Sequence, residues 1–205
     1  MRILVIRHGQ SQADILNVHE GRADFELTPI GLSQAKQMVV WVAKRYQVDT
    51  IITSPLKRAL QTAECLANQL NLSFSTDELL LEFNNGLIAG LSRKEAQARY
   101  PYVPDLPPDK ALYGQESKHA FRHRADKVLG KVLSSYHQDA TIVLISHGGL
   151  INQLYHAFLS LPIDSPVIFH TGDTGIHEWR IEGESRRVVM ANSLQHLTIL
   201  NNKIP

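Results

Sequence analysis

Three short apolar runs break off in residues suited to handling an anion. Ile3-Leu4-Val5-Ile6 stops at Arg7-His8-Gly9, and Ile142-Val143-Leu144-Ile145 stops at Ser146-His147-Gly148-Gly149. The third, 50–53, leads into Ser54-Pro55, with Arg58 shortly after. Continuous apolar runs of this length predict strands buried on both faces, the pattern of a parallel sheet. Helical periodicity fills the intervals. Thr28-Pro29 opens one helix with its stripe at Leu32, Ala35, Val39, Val42 and Ala43, and residues 55–70 form a second. Alternation over 72–75 predicts a strand, and Ser92 with Glu95 starts a helix that Tyr100-Pro101 ends. Pro101, Pro104, Pro107 and Pro108 mark a surface excursion. A long helix follows from 117, another spans 150–159, and strands over 176–181 and 187–191 pair as a hairpin across Glu182-Gly183-Glu184. Strands alternating with helices argue for an α/β fold.

Composition narrows the classes of function. At 205 residues the chain is read as one domain, 1–205. A formal charge of +1 gives no general attraction to nucleic acid or membrane, so any anion must be held by local charge. No apolar run reaches membrane-spanning length and the start is too short for a signal peptide, so a cytoplasmic protein is expected. The single cysteine, Cys65, sits in a helical pattern without a cationic neighbour, a poor setting for a nucleophile. His119 and His123, four apart, lack a zinc motif and read as a solvated helix face. Asp173-Thr174-Gly175 has no second copy to make a carboxylate pair, and reads as a turn before a strand.

In a parallel sheet the carboxyl ends of adjacent strands line one crevice, so Arg7, His8, Arg58 and His147 are expected to converge. Arg7 and Arg58 offer forked donors for phosphate oxygens. First-turn amides of helices beginning near Pro55 and Gly148 would add oriented N–H groups.

Arg7-His8-Gly9, Ser54-Pro55 through Arg58, Glu82, and Ser146-His147-Gly148-Gly149 occur in the order seen in the histidine phosphatase (phosphoglycerate mutase-like) superfamily. The resemblance runs from Met1 to about Leu197 and includes Asp24, Leu27-Thr28, Gly31, Thr174-Gly175-Ile176 and Asn192. It implies a three-layer α/β/α sandwich around a mostly parallel sheet, with His8 as nucleophile, His147 as a cation on the phosphate, and no metal or other cofactor. Attack needs a neutral ring nitrogen, so the other nitrogen should keep its proton on a backbone acceptor. Glu82 takes the place of the general acid, and its partial burial beside a phosphate would favour the protonated carboxyl.

The chain also departs from the family pattern. Asp14 stands where an asparagine is usual, and a carboxylate turned toward a phosphate dianion repels it. The inward orientation is expected. Asn17, one turn later, is the substitute phosphate donor, and Arg22 is a further phosphate ligand or the partner of an outward Asp14. After Glu82 the chain lacks the Arg-His-Tyr segment of true mutases. The leading reading is therefore a metal-independent phosphatase of a small phosphorylated metabolite. A mutase and a weakly catalytic phosphate-binding regulatory module are the alternatives. A homodimer is left open.

Overall fold

The computed structural model describes residues 1–198. Its elements run β1 (Arg2–Arg7), α1 (Gln12–Leu16), α2 (Pro29–Arg45), β2 (Thr50–Thr53), α3 (Lys57–Leu70), β3 (Phe74–Thr76), α4 (Arg93–Arg99), α5 (Lys118–Ser135), β4 (Thr141–Ser146), α6 (Gly148–Phe158), β5 (Ile176–Glu182), β6 (Ser185–Ser193) and α7 (Gln195–Thr198). The strands form one sheet in the order β3-β2-β4-β1-β5-β6. β1 through β4 pair in parallel, whereas β5 and β6 are antiparallel.

Successive strand side chains point to opposite faces, and that alternation makes the layers. Ile3, Val5, Ile142 and Leu144 pack against Phe121 and Val128 of α5 and Leu150 and Leu154 of α6. Leu4, Ile6, Val143 and Ile145 pack on the other face against Met38 and Val42 of α2 and Ala63 and Leu66 of α3. β1 and β4 are therefore wrapped on both sides, which explains why their sequences are continuously apolar. Among the described residues no helix is long and apolar enough to cross a membrane.

Most of the expected elements are present, and the shifts have local causes. The second helix begins at Lys57 rather than Pro55, with the Lys57 N–H donating to Asp24 Oδ1 at 2.7 Å. A cap brought from a distant loop is invisible to local spacing. Leu32, assigned to the buried stripe of α2, is exposed, while Met38 and Trp41 are buried instead. The segment 10–27, which carries no helical or strand period in the sequence, contains the short helix α1.

Candidate active site

Register carries the strand ends to one edge of the sheet. Arg7 pairs with Ser146 and Thr53 with Ile145, so β1, β2 and β4 finish side by side. The His8 N–H donates to Ser146 O at 3.0 Å and the Ser54 N–H to Ile145 O at 3.0 Å, extending that alignment beyond the strands. The four predicted residues do converge. The rings of His8 and His147 lie 5.1 Å apart, and Arg58 Nε donates to His8 Nε2 at 3.2 Å.

His8 is buried, and its Nδ1 sits 2.7 Å from Gly9 O. A carbonyl only accepts, so Nδ1 carries the proton and Nε2 presents a lone pair toward Arg58. Burial pushes the His8 pKa well below its ordinary value, and the Arg58 and Arg7 charges push it further. The tautomer expected from the chemistry is thus the one the geometry imposes.

His147 faces Ser54 Oγ at 2.7 Å through Nε2, while its buried Nδ1 has no partner. Burial first, then Arg58, His8 and Arg7, push its pKa well down. Burial and these neighbouring groups thus oppose a charge on His147, the charge that the resemblance implies it carries against a phosphate. Arg7 donates to Thr171 O at 2.9 Å and pairs with Asp173 at 3.2 Å, leaving its buried Nε without a partner. Orphaned buried polar atoms are costly unless a ligand meets them, and both of these belong to the predicted site residues.

Glu82 follows a 3-10 turn, Glu78–Leu80, and reaches the start of α6. Its Oε2 accepts from Gly149 N at 2.9 Å, and its Oε1 from Leu150 N at 3.1 Å and Phe83 N at 2.8 Å. The Gly149 and Leu150 amides of α6 therefore hold a carboxylate, as the Lys57 amide of α3 holds Asp24. This corrects the expectation that they were free for phosphate. Gly148 still lines the site, its Cα facing the Arg7 side chain.

A family model described as the histidine phosphatase superfamily (branch 1) matches residues 3–194. The chain belongs to that superfamily. A glucosyl-3-phosphoglycerate phosphatase of Mycolicibacterium vanbaalenii is 31% identical over 196 residues, spanning 90% of this chain and 85% of the relative. Phosphoserine phosphatase 1 of Hydrogenobacter thermophilus is 24% identical over 202 residues, spanning 96% and 94%. Among solved structures, a mycobacterial glucosyl-3-phosphoglycerate phosphatase complexed with VO3 is similar with a TM-score of 0.83 and 28% identity, covering 94% of this chain and 98% of that one.

Three of the predicted phosphate ligands of this histidine phosphatase are engaged elsewhere. Asp14 is exposed and Asp14 Oδ2 accepts from Ser11 N at 2.8 Å, closing the first turn of α1. The inward orientation is therefore corrected, and so is the pairing with Arg22. Asn17 caps the other end of α1 in a left-handed conformation and accepts from Arg93 Nε at 3.1 Å, so it is not the substitute donor. Arg22 donates to Glu82 O at 3.3 Å and pairs with Glu116 at 3.5 Å, bracing the loop that carries Glu82.

Other residues at the site were given no role there by the sequence. Arg124 of α5 donates to the carbonyls of Leu79, Leu81 and Glu82 and pairs with Glu116 at 2.6 Å. Asp173 orients Arg7, and Thr62 Oγ1 accepts from Gly9 N at 3.3 Å. Glu20 reaches both Arg58, at 3.3 Å, and His8 Nε2, at 3.7 Å. Only a match to positions in the family pattern could have flagged them, because none lies in an apolar run that announces a strand end.

Proposed function

We propose that this chain is a phosphatase that hydrolyses the phosphomonoester of a small metabolite through a phosphohistidine on His8, without a metal ion. The observation that carries the reading is the state of His8: a neutral ring with Nδ1–H held on Gly9 O and a lone pair on Nε2 facing Arg58. In the first step Nε2 attacks phosphorus, forming the P–N bond as the ester P–O bond breaks. Arg7, Arg58 and His147 surround the equatorial oxygens, where charge must be stabilised. Glu82 gives a proton to the departing oxygen. Its Oε2 accepts from one amide only, Gly149 N–H, which leaves a lone pair to carry that proton. In the second step water attacks phosphohistidine and passes a proton to Glu82, the electron pair returns to Nε2, and inorganic phosphate leaves.

A mutase would return the phosphoryl group to a second substrate oxygen rather than to water. The loop 83–90 supplies neither arginine nor histidine to grip a bisphosphorylated intermediate, so hydrolysis is favoured. Relatives named for phosphoserine and glucosyl-3-phosphoglycerate both act on an alkyl-type phosphomonoester attached to a polar organic group. A cavity of about 690 Å³ lined by His19, Phe83, Ile88, Arg93, Tyr100 and Lys118, among others, is the candidate receiver of that group. Arg7, His8, Arg58, Glu82 and His147 do not line it, but Phe83 and His19 are the chain neighbours of Glu82 and Glu20.

The test uses wild type and His8→Ala with a panel of phosphorylated metabolites. Wild-type protein quenched in alkali during turnover should carry alkali-stable phosphate on His8, and His8→Ala should lose turnover by several powers of ten while keeping its circular dichroism spectrum. EDTA should leave the rate unchanged. Normal turnover by His8→Ala would sink the mechanism.

A further inference from the structure

Glu20 lies on the segment after α1, and its side chain is only 18% exposed. Its Oε1 is 3.3 Å from Arg58 Nε, its Oε2 is 3.7 Å from His8 Nε2, and Ser11 Oγ donates to it. A phosphorus atom poised for attack has to lie roughly 3–3.5 Å from the nucleophilic nitrogen. The Glu20 carboxylate therefore occupies the volume, and uses the Arg58 donor, that a bound phosphate requires.

We propose that Glu20 shares the phosphate subsite with the ligand: as a carboxylate it holds the ligand-free site, and as a carboxylic acid it donates a hydrogen bond to a phosphate oxygen, so that binding a dianion takes up one proton. The inference rests on the reading of His8, Arg7, Arg58 and His147 as the phosphate site. Two full negative charges a few ångströms apart repel strongly in a buried site, whereas an O–H donor between carboxyl and phosphate is favourable. Burial already raises the pKa of Glu20 from its ordinary value, and nearby Asp14 adds to this, against the opposing pull of Arg58, the Ser11 hydroxyl and Arg7. An arriving dianion acts in the same direction as burial.

The groups facing Glu20 come from three elements and include other proton acceptors. Arg7 and His8 stand at the end of β1, Arg58 on α3, and Ser11 and Asp14 at the start of α1, with His147 behind His8. A bound dianion would also favour uptake of a solvent proton by one of the neutral histidines, so the measurement has to separate Glu20 from them.

Sulfate is the probe, because it remains a dianion across about pH 5.5 to 8 and cannot itself supply the proton. Calorimetry of wild-type protein in buffers of different ionisation enthalpy should give close to one proton taken up per sulfate above the titration of Glu20. Affinity there should fall about tenfold per pH unit. Glu20→Gln, which keeps the shape and retains an N–H donor, should bind sulfate about tenfold or more tightly than wild type at pH 8, with the proton uptake reduced by one. Glu20→Ala should lose the same proton linkage, which guards against a local effect of the amide. No proton uptake by wild type, or an unchanged linkage in both variants, would overturn the proposal and assign any proton to His8 or His147. Failure of wild type and variants alike to bind either sulfate or vanadate would instead remove the phosphate site itself.

Discussion

Gly149 owes its place to what a side chain there would strike. A Cβ at this position would lie 2.5 Å from Glu82 Oε1, so the carboxylate could no longer reach the amides of Gly149 and Leu150. Glu82 is thus both the candidate acid and the cap of α6, and replacing it disturbs two things at once. In Glu82→Gln the amide can still accept through its oxygen, but its NH2 then confronts an N–H that Oε2 formerly satisfied. That unmet donor costs about 1–3 kcal/mol, a loss a thermal melt should register. Turnover should fall by about 10²–10⁴-fold for an alkyl phosphate and much less for p-nitrophenyl phosphate, whose leaving group needs little protonation. Equal losses on the two substrates would reject protonation of the leaving group and leave Glu82 to the cap or to the water step that both substrates share.

Helix ends do much of the positioning at the scale of elements. α3 begins where Asp24 meets Lys57 N–H, and α6 begins where Glu82 meets Gly149 and Leu150, each an acidic side chain on the positive end of a helix. α5 holds the Glu82 loop from the other side. Arg124 binds the carbonyls of Leu79, Leu81 and Glu82 at once, and Glu116 fixes its guanidinium with help from Arg22. Arg124 is a positioning residue, since it acts through the backbone of Glu82. Arg124→Gln should therefore lower kcat for alkyl phosphates on the order of 10²-fold, as displacement by about an ångström would. The same variant should spare p-nitrophenyl phosphate, copying the selectivity of Glu82→Gln. A purely structural arginine would depress both substrates together, and that result would reject the positioning role.

The whole molecule keeps several histidines buried and neutral, with consequences for stability. His177 Nδ1 accepts from Asn192 N–H and from Tyr155 O–H, leaving Nε2–H for Thr171 Oγ1. His196 donates to Thr174 Oγ1, whose own proton goes to Asp173 O. Burial pushes both histidines down to about 4, and it pushes His8 and His147 in the same direction. An unfolded histidine titrates near 6.5, so below that pH the unfolded chain binds protons that the folded chain refuses. Stability should be full above about pH 6.5 and fall as pH drops toward about 4, by up to about 1.4 kcal/mol per pH unit for each such histidine. Glu20 and Asp173, raised by burial, act in the opposite sense, but they are two groups against four. Urea unfolding at pH 7 and pH 5 checks this: equal or greater stability at pH 5 would show that the histidines are not held neutral.

The positions of His8, Arg7, Arg58 and His147 were legible in the sequence because each strand is apolar until its last residue, and a parallel sheet must bring such ends together. The same logic yielded the α/β layering, since Ile3 and Val5 face one set of helices while Leu4 and Ile6 face another. Side-chain direction at the loops was a different matter. Asp14 and Asn17 sit on a five-residue helix whose own caps consume them, and no periodicity announces so short an element. Glu20, Arg124 and Asp173 each reach a partner between 38 and 166 residues away in the chain, namely Arg58, Glu82 and Arg7. Strand ends follow from local pattern, but the choice of which carboxylate meets which donor is made by burial, which strips away water and leaves each charged group to the nearest partner that the folded chain provides.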